Sequence, residues 1–221
     1  MKRISRIVVS HELNFTLLDK FVGKSCSTID SELNLGLSRS SKTYAKTVMD
    51  KVVRYCGLDF ESNKYQLRMI RVDDYGVPKN PAPLKTTDYH TIILEEWESS
   101  EFRQLLKPTY IFLVVTHGSP ESSVFKGYIT HDFTEEELES AKYVWTDTQN
   151  KIKKGVYDKF LSEKDTGTFF FKCHTASVSC QIDAPKISKQ IPRSFWISKK
   201  LLKKIVSAVY SRLYNQHIML F

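Results

Sequence analysis

A chain of 221 residues, 41% of them hydrophobic, is long enough to bury one large core and too apolar to be a disordered tail. It holds no run near the roughly 20 apolar residues that a membrane span needs, and Met1-Lys2-Arg3-Ile4 lacks the apolar core and cleavage site of an export signal. The expected location is therefore the cytoplasm, with no membrane partner, and the net charge of +8 turns attention to anionic partners.

In chain order, residues 1–14 read as a basic N-terminal extension or a short first strand at Ile7-Val8-Val9. Leu13 to Val22 and Ile29 to Leu35 read as two short helices. Ser38 to Lys42 is a polar turn that opens a helix from Thr43 to Tyr55, where Ala45, Val48, Met49, Val52 and Val53 recur at helical spacing. From Tyr65 to Arg71 the pattern alternates, which predicts a strand with Gln66, Arg68 and Ile70 on one face and Tyr65, Leu67 and Met69 on the other. Asp73 to Pro78 is a turn.

Thr91–Leu94, Tyr110–Thr116 and Val124–Thr130 are strand candidates. The unbroken apolar run from Tyr110 to Val115 predicts a central strand covered on both faces. Glu95 to Leu106 reads as one short helix. Thr134 and Glu137 form a capping box at the start of a longer helix that ends near Gly155, with Glu135-Glu136-Glu137 as its solvated, dipole-compatible first turn. Thr168 to Cys173 reads as the last strand. Ser198 opens a final helix with Leu201, Leu202, Ile205, Val206 and Val209 inward and Lys199, Lys200, Lys203 and Lys204 outward; residues 207–221 are its end and an apolar tail. Strands interspersed with helices predict a mixed α/β domain.

Charge is unevenly placed. From Ala184 to Phe221 there is no acid, and the eight bases there (Lys186, Lys189, Arg193, Lys199, Lys200, Lys203, Lys204, Arg212) equal the whole net charge of the chain. Such a one-sided field is a footprint for phosphate binding, although a solvated basic helix face has the same composition. Cys26, Cys56, Cys173 and Cys180 lack paired spacing and read as reduced thiols; Cys173-His174 with Cys180 is a poor match to a zinc site. His90, His117 and His131 lack ligand spacing and read as structural.

One stretch has the layout of a nuclease metal centre with its chemistry altered. Mg²⁺-dependent nucleases place an Asp on one strand, then a Glu and a Lys two residues apart on the next, so that acids hold the hard cation and the Lys positions the attacking water. Here Asp59 is followed at that gap by Gln66 and Arg68. Gln brings no charge to the metal, and Arg stays protonated and cannot act as a base. The plain alternative is a surface turn and strand.

Four blocks, in order, resemble the MutH-like family of GATC-specific endonucleases: Glu95-Glu96-Trp97-Glu98; Val124-Phe125-Lys126-Gly127; Trp145-Thr146-Asp147-Thr148 with Gly155-Val156; and Ser194-Phe195-Trp196-Ile197. The similarity runs from roughly Leu17 to Val206 and is strongest to the C-terminal half of the two-domain type II restriction enzymes that cut GATC. The resemblance implies a restriction-endonuclease-like fold over 15–206, with a central mixed sheet flanked by helices. It matches Asp59, Gln66 and Arg68 to the family's Asp and Glu-x-Lys, and Asp50 to its helix glutamate. In the two-domain enzymes the C-terminal half lacks the catalytic set, binds a second GATC copy and promotes cleavage by the N-terminal half. The implied function is a DNA-binding allosteric domain with a degenerate site. It needs no cofactor and is expected to hold no metal, Asp50 and Asp59 being the only candidates. Mg²⁺ serves the full enzyme, whose catalytic N-terminal nuclease domain is the expected partner beside double-stranded DNA; dimerisation is left open.

The base-reading loop is expected after the 168–173 strand. His174, Thr175, Ser177, Ser179 and Gln181 are short donors and acceptors suited to base edges, although the family's usual Arg-Pro-Lys form is missing. Lys172, Lys186, Lys189 and Arg193 are placed to neutralise flanking phosphates, and Arg39 and Lys42 to clamp the opposite backbone. Two other readings stay open. One is an active Mg²⁺ endonuclease using Asp50, Asp59 and Gln66; the other is a basic amphipathic helix over 198–213 that docks on a membrane surface or a partner protein.

Overall fold

The computed structural model describes residues 15–57, 64–173 and 181–207. In chain order these form α1 (Thr16–Asp19), α2 (Cys26–Glu32), α3 (Tyr44–Tyr55), β1 (Tyr65–Val72), β2 (Ala82–Thr86), α4 (Tyr89–Ile92), a 3-10 turn (Trp97–Ser99), α5 (Glu101–Leu105), β3 (Thr109–Thr116), β4 (Phe125–His131), α6 (Glu135–Lys154), α7 (Glu163–Thr166), β5 (Phe169–Cys173), β6 (Ile182–Ala184), β7 (Ile187–Gln190), β8 (Arg193–Ile197) and a helix over 199–207, α8.

The continuous apolar run of β3 sets the architecture. Tyr110, Phe112 and Val114 enter one hydrophobic cluster, while Ile111, Leu113 and Val115 enter another on the opposite face. A strand apolar on both sides must be covered on both sides. β3 therefore lies in the middle of a mixed sheet of order β1-β3-β4, parallel to β1 and antiparallel to β4. One face is covered by α1–α3, where Val48, Met49, Val52 and Val53 of α3 pack with the odd-numbered side chains of β3. The other face meets an antiparallel sheet of order β2-β8-β5, together with α4–α6 and α8. Phe102 of α5 stacks on Phe195 of β8 at 3.9 Å between ring centres and 4° between planes, a contact that ties α5 to the inner face of this second sheet.

α6 forms as its sequence requires. The Thr134 hydroxyl accepts from the Glu137 amide at 3.2 Å, and the Glu137 carboxylate accepts from the Thr134 amide at 3.1 Å. Leu138, Ala141, Val144, Trp145 and Ile152 bury one face; each large side chain so buried contributes about 1.5–3 kcal/mol. The helix ends at Gly155, whose φ of 77° is left-handed and whose amide, with that of Val156, returns to the carbonyls of Ile152 and Lys151.

Several expected elements differ. Thr91–Leu94 is not a strand: Asp88 accepts from the His90 amide at 2.9 Å and caps a short helix, α4, whose Tyr89 and Ile92 are buried three residues apart. Glu95–Leu106 is broken at Ser100, which caps α5 through the Arg103 amide. The first helices are shorter or shifted, at Thr16–Asp19 and Cys26–Glu32. β5 is not the last strand, because β6, β7 and β8 follow it. β2 is not among the expected strands; it contains Pro83 and, among the described residues, is an edge strand paired with β8, where a missing amide is tolerated. Residues 1–14 and 208–221, including Ile7-Val8-Val9 and Val209, lie outside the described residues.

Candidate functional site

Among the described residues β1 is an edge strand, with β3 on one side. Its other edge opens into a cleft of about 490 Å³ lined by Lys46, Met49 and Asp50 of α3, residues 67–71 of β1, residues 80–83 and Leu202 of α8. Burial of Val48, Met49 and Val52 against the sheet turns Lys46 and Asp50 toward this opening, one helical turn apart. They pair, Lys46 Nζ lying 2.6 Å from Asp50 Oδ2.

Gln66 and Arg68 share the face of β1 that carries Ile70, as expected, beside Tyr110 and Phe112 of β3 in the parallel register. Arg68 lines the cleft, and Gln66 does not. The Tyr110 hydroxyl donates to the Leu105 carbonyl at 2.9 Å. Burial pushes that hydroxyl up to about 12, opposed by the Arg68 guanidinium beside it. The Arg68 Nε is itself buried and meets no hydrogen-bond acceptor. An unsatisfied buried donor costs about 1–3 kcal/mol, more when charged.

Arg71 also lines the cleft but alternates to the other face of β1, where its Nη2 reaches the Lys42 carbonyl at 3.4 Å. Burial pushes the Cys26 thiol up to about 11, and the Arg71 charge works against that shift. Among the described residues no carboxylate pairs with Arg68 or Arg71. The cleft thus combines a neutralised Lys46–Asp50 pair with two arginines. A divalent cation needs oxygen ligands carrying negative charge, and the described residues of the cleft do not fit one. No group of three His, Cys, Asp or Glu side chains among the described residues could hold a metal. Asp59 lies outside the described residues.

The residues expected to contact DNA are spread more widely. Arg39 pairs with Glu121 at 3.4 Å, both side chains half exposed, and Lys42 is exposed at the start of α3. Lys172 on β5, Gln181, Lys186 and Lys189 are exposed, and none lines the cleft. Lys186 sits in the β6–β7 turn at φ 67°, held there by Tyr157, whose hydroxyl donates to the Pro185 carbonyl at 2.7 Å. Arg193, expected to meet phosphate, is half-buried and makes contacts within the protein. Its Nη1 lies 3.4 Å from the Tyr89 hydroxyl and 3.5 Å from the Ile191 carbonyl, and its guanidinium covers the Phe160 ring at 5.1 Å. His174, Thr175, Ser177 and Ser179, with Cys180, lie outside the described residues.

The acidic first turn of α6 also needs correction. Glu135 and Glu136 are exposed, but Glu137 is 3% exposed and not solvated. Its Oε2 lies 2.9 Å from His131 Nε2 and its Oε1 3.2 Å from Lys204 Nζ. His131 is structural in this sense; His90 and His117 are exposed, and His90 sits in α4 rather than beside a strand. Lys46, Arg71 and Asn80 line the cleft without having been singled out in the sequence. Only Lys46 had a signal, its i,i+4 spacing to Asp50.

No family model matches the chain. The type II restriction enzyme Sau3AI of Staphylococcus aureus is 27% identical over 116 residues, covering 49% of this chain and 24% of that enzyme. The matched stretch thus spans about a quarter of the enzyme's length. The similarity is distant and places a type II restriction enzyme among the proteins this chain resembles. No helix among the described residues is long and apolar enough to cross a membrane.

Proposed function

We propose that this chain is a DNA-binding unit of a type II restriction enzyme, with a degenerate nuclease site, that engages GATC-containing duplex DNA and leaves hydrolysis to a Mg²⁺-dependent nuclease domain acting with it. The observation that carries this reading is the cleft along β1, where a nuclease would present acids. It presents Arg68 and Arg71 beside an aspartate already bound by Lys46. A charge set of this sign attracts phosphodiester and repels the metal that cutting needs. The distant similarity to a restriction enzyme and the acid-free basic stretch from Ala184 onward support the same partner. The allosteric role, the companion nuclease domain and the GATC sequence are parts of this proposal that rest on the resemblance.

Fluorescence anisotropy with a GATC duplex and a scrambled duplex of the same composition tests it. Tighter binding to GATC, without Mg²⁺-dependent nicking of GATC plasmid, is the expected result. Equal affinity for both duplexes overturns the sequence preference. The second reading is an active endonuclease, favoured by Asp50 lining the same cleft as Arg68. Plasmid nicking that vanishes in Asp50→Ala and Asp59→Ala would establish it instead.

A further inference from the structure

We infer that the cleft along β1 is a metal-free phosphate clamp, in which the Arg68 guanidinium supplies the positive charge that a divalent cation supplies in a working nuclease. The inference rests on the proposed DNA-binding reading and specifies what that site receives: a phosphodiester oxygen, bound directly.

Three observations meet here. The first is charge. Among the described residues Lys46, Arg68 and Arg71 share the cleft with a single carboxylate, Asp50, and that carboxylate is already 2.6 Å from Lys46 Nζ. The two arginines therefore remain uncompensated by any described carboxylate, and an anion completes the balance where a cation would worsen it.

The second is the Arg68 donor set. Its Nε–H is buried without an acceptor although the residue lines an open cleft. The Tyr110 hydroxyl beside it has spent its own proton on the Leu105 carbonyl, so it fixes the guanidinium without neutralising it. Another N–H of the guanidinium is engaged by the Tyr110 oxygen, and a planar fork that keeps one N–H without an acceptor can direct it at a phosphate oxygen, which a lysine point charge does not.

The third is access. Arg68 sits on β1, an edge strand among the described residues, in an opening of about 490 Å³ that Met49, Leu202, Pro81 and Pro83 also line. That is room for a phosphate and the sugars on either side. The apolar border lowers the local dielectric, which strengthens a charge-assisted bond. A free phosphate and a DNA phosphate share this chemistry, and the experiment separates them.

The test uses the full chain in EDTA and in Mg²⁺. Arg68 Nε–H is followed by ¹⁵N NMR while inorganic phosphate, and separately a GATC duplex, is titrated. Duplex affinity is measured against KCl concentration for the wild type, Arg68→Gln and Arg68→Lys. The expected result is a saturable shift of the Nε–H signal with the duplex, unchanged by EDTA. Arg68→Gln lowers affinity about tenfold on GATC and scrambled duplexes alike and reduces the salt slope by about one; Arg68→Lys keeps the slope and loses affinity, because it keeps the charge without the fork.

A signal that moves with inorganic phosphate while no duplex binds keeps the clamp and overturns the DNA reading. A signal that moves with neither ligand overturns the clamp, whatever the duplex affinity. So does duplex binding that EDTA abolishes and Mg²⁺ restores. The wild-type signal decides the matter even where a variant fails to fold.

Discussion

Lys204 of α8 places its Nζ 3.2 Å from Oε1 of Glu137, so that the last described helix is tied to the first turn of α6. The same carboxylate holds His131 of β4 and the Thr134 amide through its other oxygen. One buried side chain thus joins a strand and two helices. Replacing Glu137 with Ala leaves the Thr134 amide and the His131 ring without their acceptor, and a loss of about 2–4 kcal/mol is expected. Lys204→Ala, at an exposed partner, should cost less than about 1 kcal/mol. Urea denaturation of the two variants checks the ordering; equal losses would mean that the surface pair dominates.

High pH should destabilise the protein through three buried acids. Cys26 is pushed up to about 11 from an ordinary 9.0, and Tyr44 and Tyr110 to about 12 from 10.0, burial being the first cause in each. Tyr44 is further held protonated by donating to Asp30 at 2.8 Å. These acids are neutral when protonated, so the unfolded chain gives up its protons first. Their contribution to stability is whole below about pH 9 and falls between about pH 9 and 12, by about 1.4 kcal/mol per pH unit for each group titrating only in the unfolded state. Chemical denaturation at stepped pH measures the slope. Tyr44→Phe should flatten its upper part, and an unchanged slope would remove Tyr44 from the account.

How much of this was legible in the sequence depends on how far apart the interacting residues lie. The Thr134–Glu137 box, the Gly155 stop and the two-sided burial of Tyr110–Val115 follow from neighbours within one element, and all three appear as read. α4 was misread because Thr91-Ile92-Ile93 has strand composition, while a single Asp88 cap decides for helix. The pairing of Glu137 with Lys204, 67 residues later, is announced by no local pattern. The basic run marks Arg193 as a phosphate contact, but its contacts with Tyr89 and Phe160 are set by distant parts of the chain and no local pattern announces them. The Arg68 cleft needed both kinds of information. The spacing singled out the residue, and only the fold brings Lys46, Asp50 and Arg71 to the same opening.

Gly155 should resist any side chain. Its φ is 77°, and a Cβ built there would lie 3.4 Å from the Cβ of Lys186, at the tip of the β6–β7 hairpin. Gly155→Ala is expected to lose about 1–2 kcal/mol from left-handed strain. Lys186 is itself at φ 67° without being glycine, so Lys186→Gly should gain up to about 1 kcal/mol. Opposite shifts in the thermal midpoint are the expected readout. A stabilising Gly155→Ala would show that the end of α6 is set by something other than the glycine.

Asp50 offers the sharpest contrast between the two functional readings. It is the one carboxylate described in the cleft, and it neutralises Lys46 at 2.6 Å. Asp50→Asn removes that charge, frees Lys46 and adds one positive charge to a surface already facing DNA under the proposed function. Duplex affinity should rise about three- to tenfold, and the dependence on salt should steepen by up to about one in log–log slope. An acid that served a metal would behave differently: its loss would abolish Mg²⁺-dependent nicking and leave metal-free affinity nearly unchanged. Anisotropy titrations in EDTA at several KCl concentrations, beside a plasmid assay in Mg²⁺, separate these outcomes. Weaker binding by Asp50→Asn in EDTA would contradict the phosphate-binding cleft, because removing an acid from a surface that receives phosphate cannot reduce its attraction unless the carboxylate is needed to hold Lys46 in place. Asp50→Ser, which shortens the side chain while keeping a hydroxyl, then shows whether charge or position is the cause.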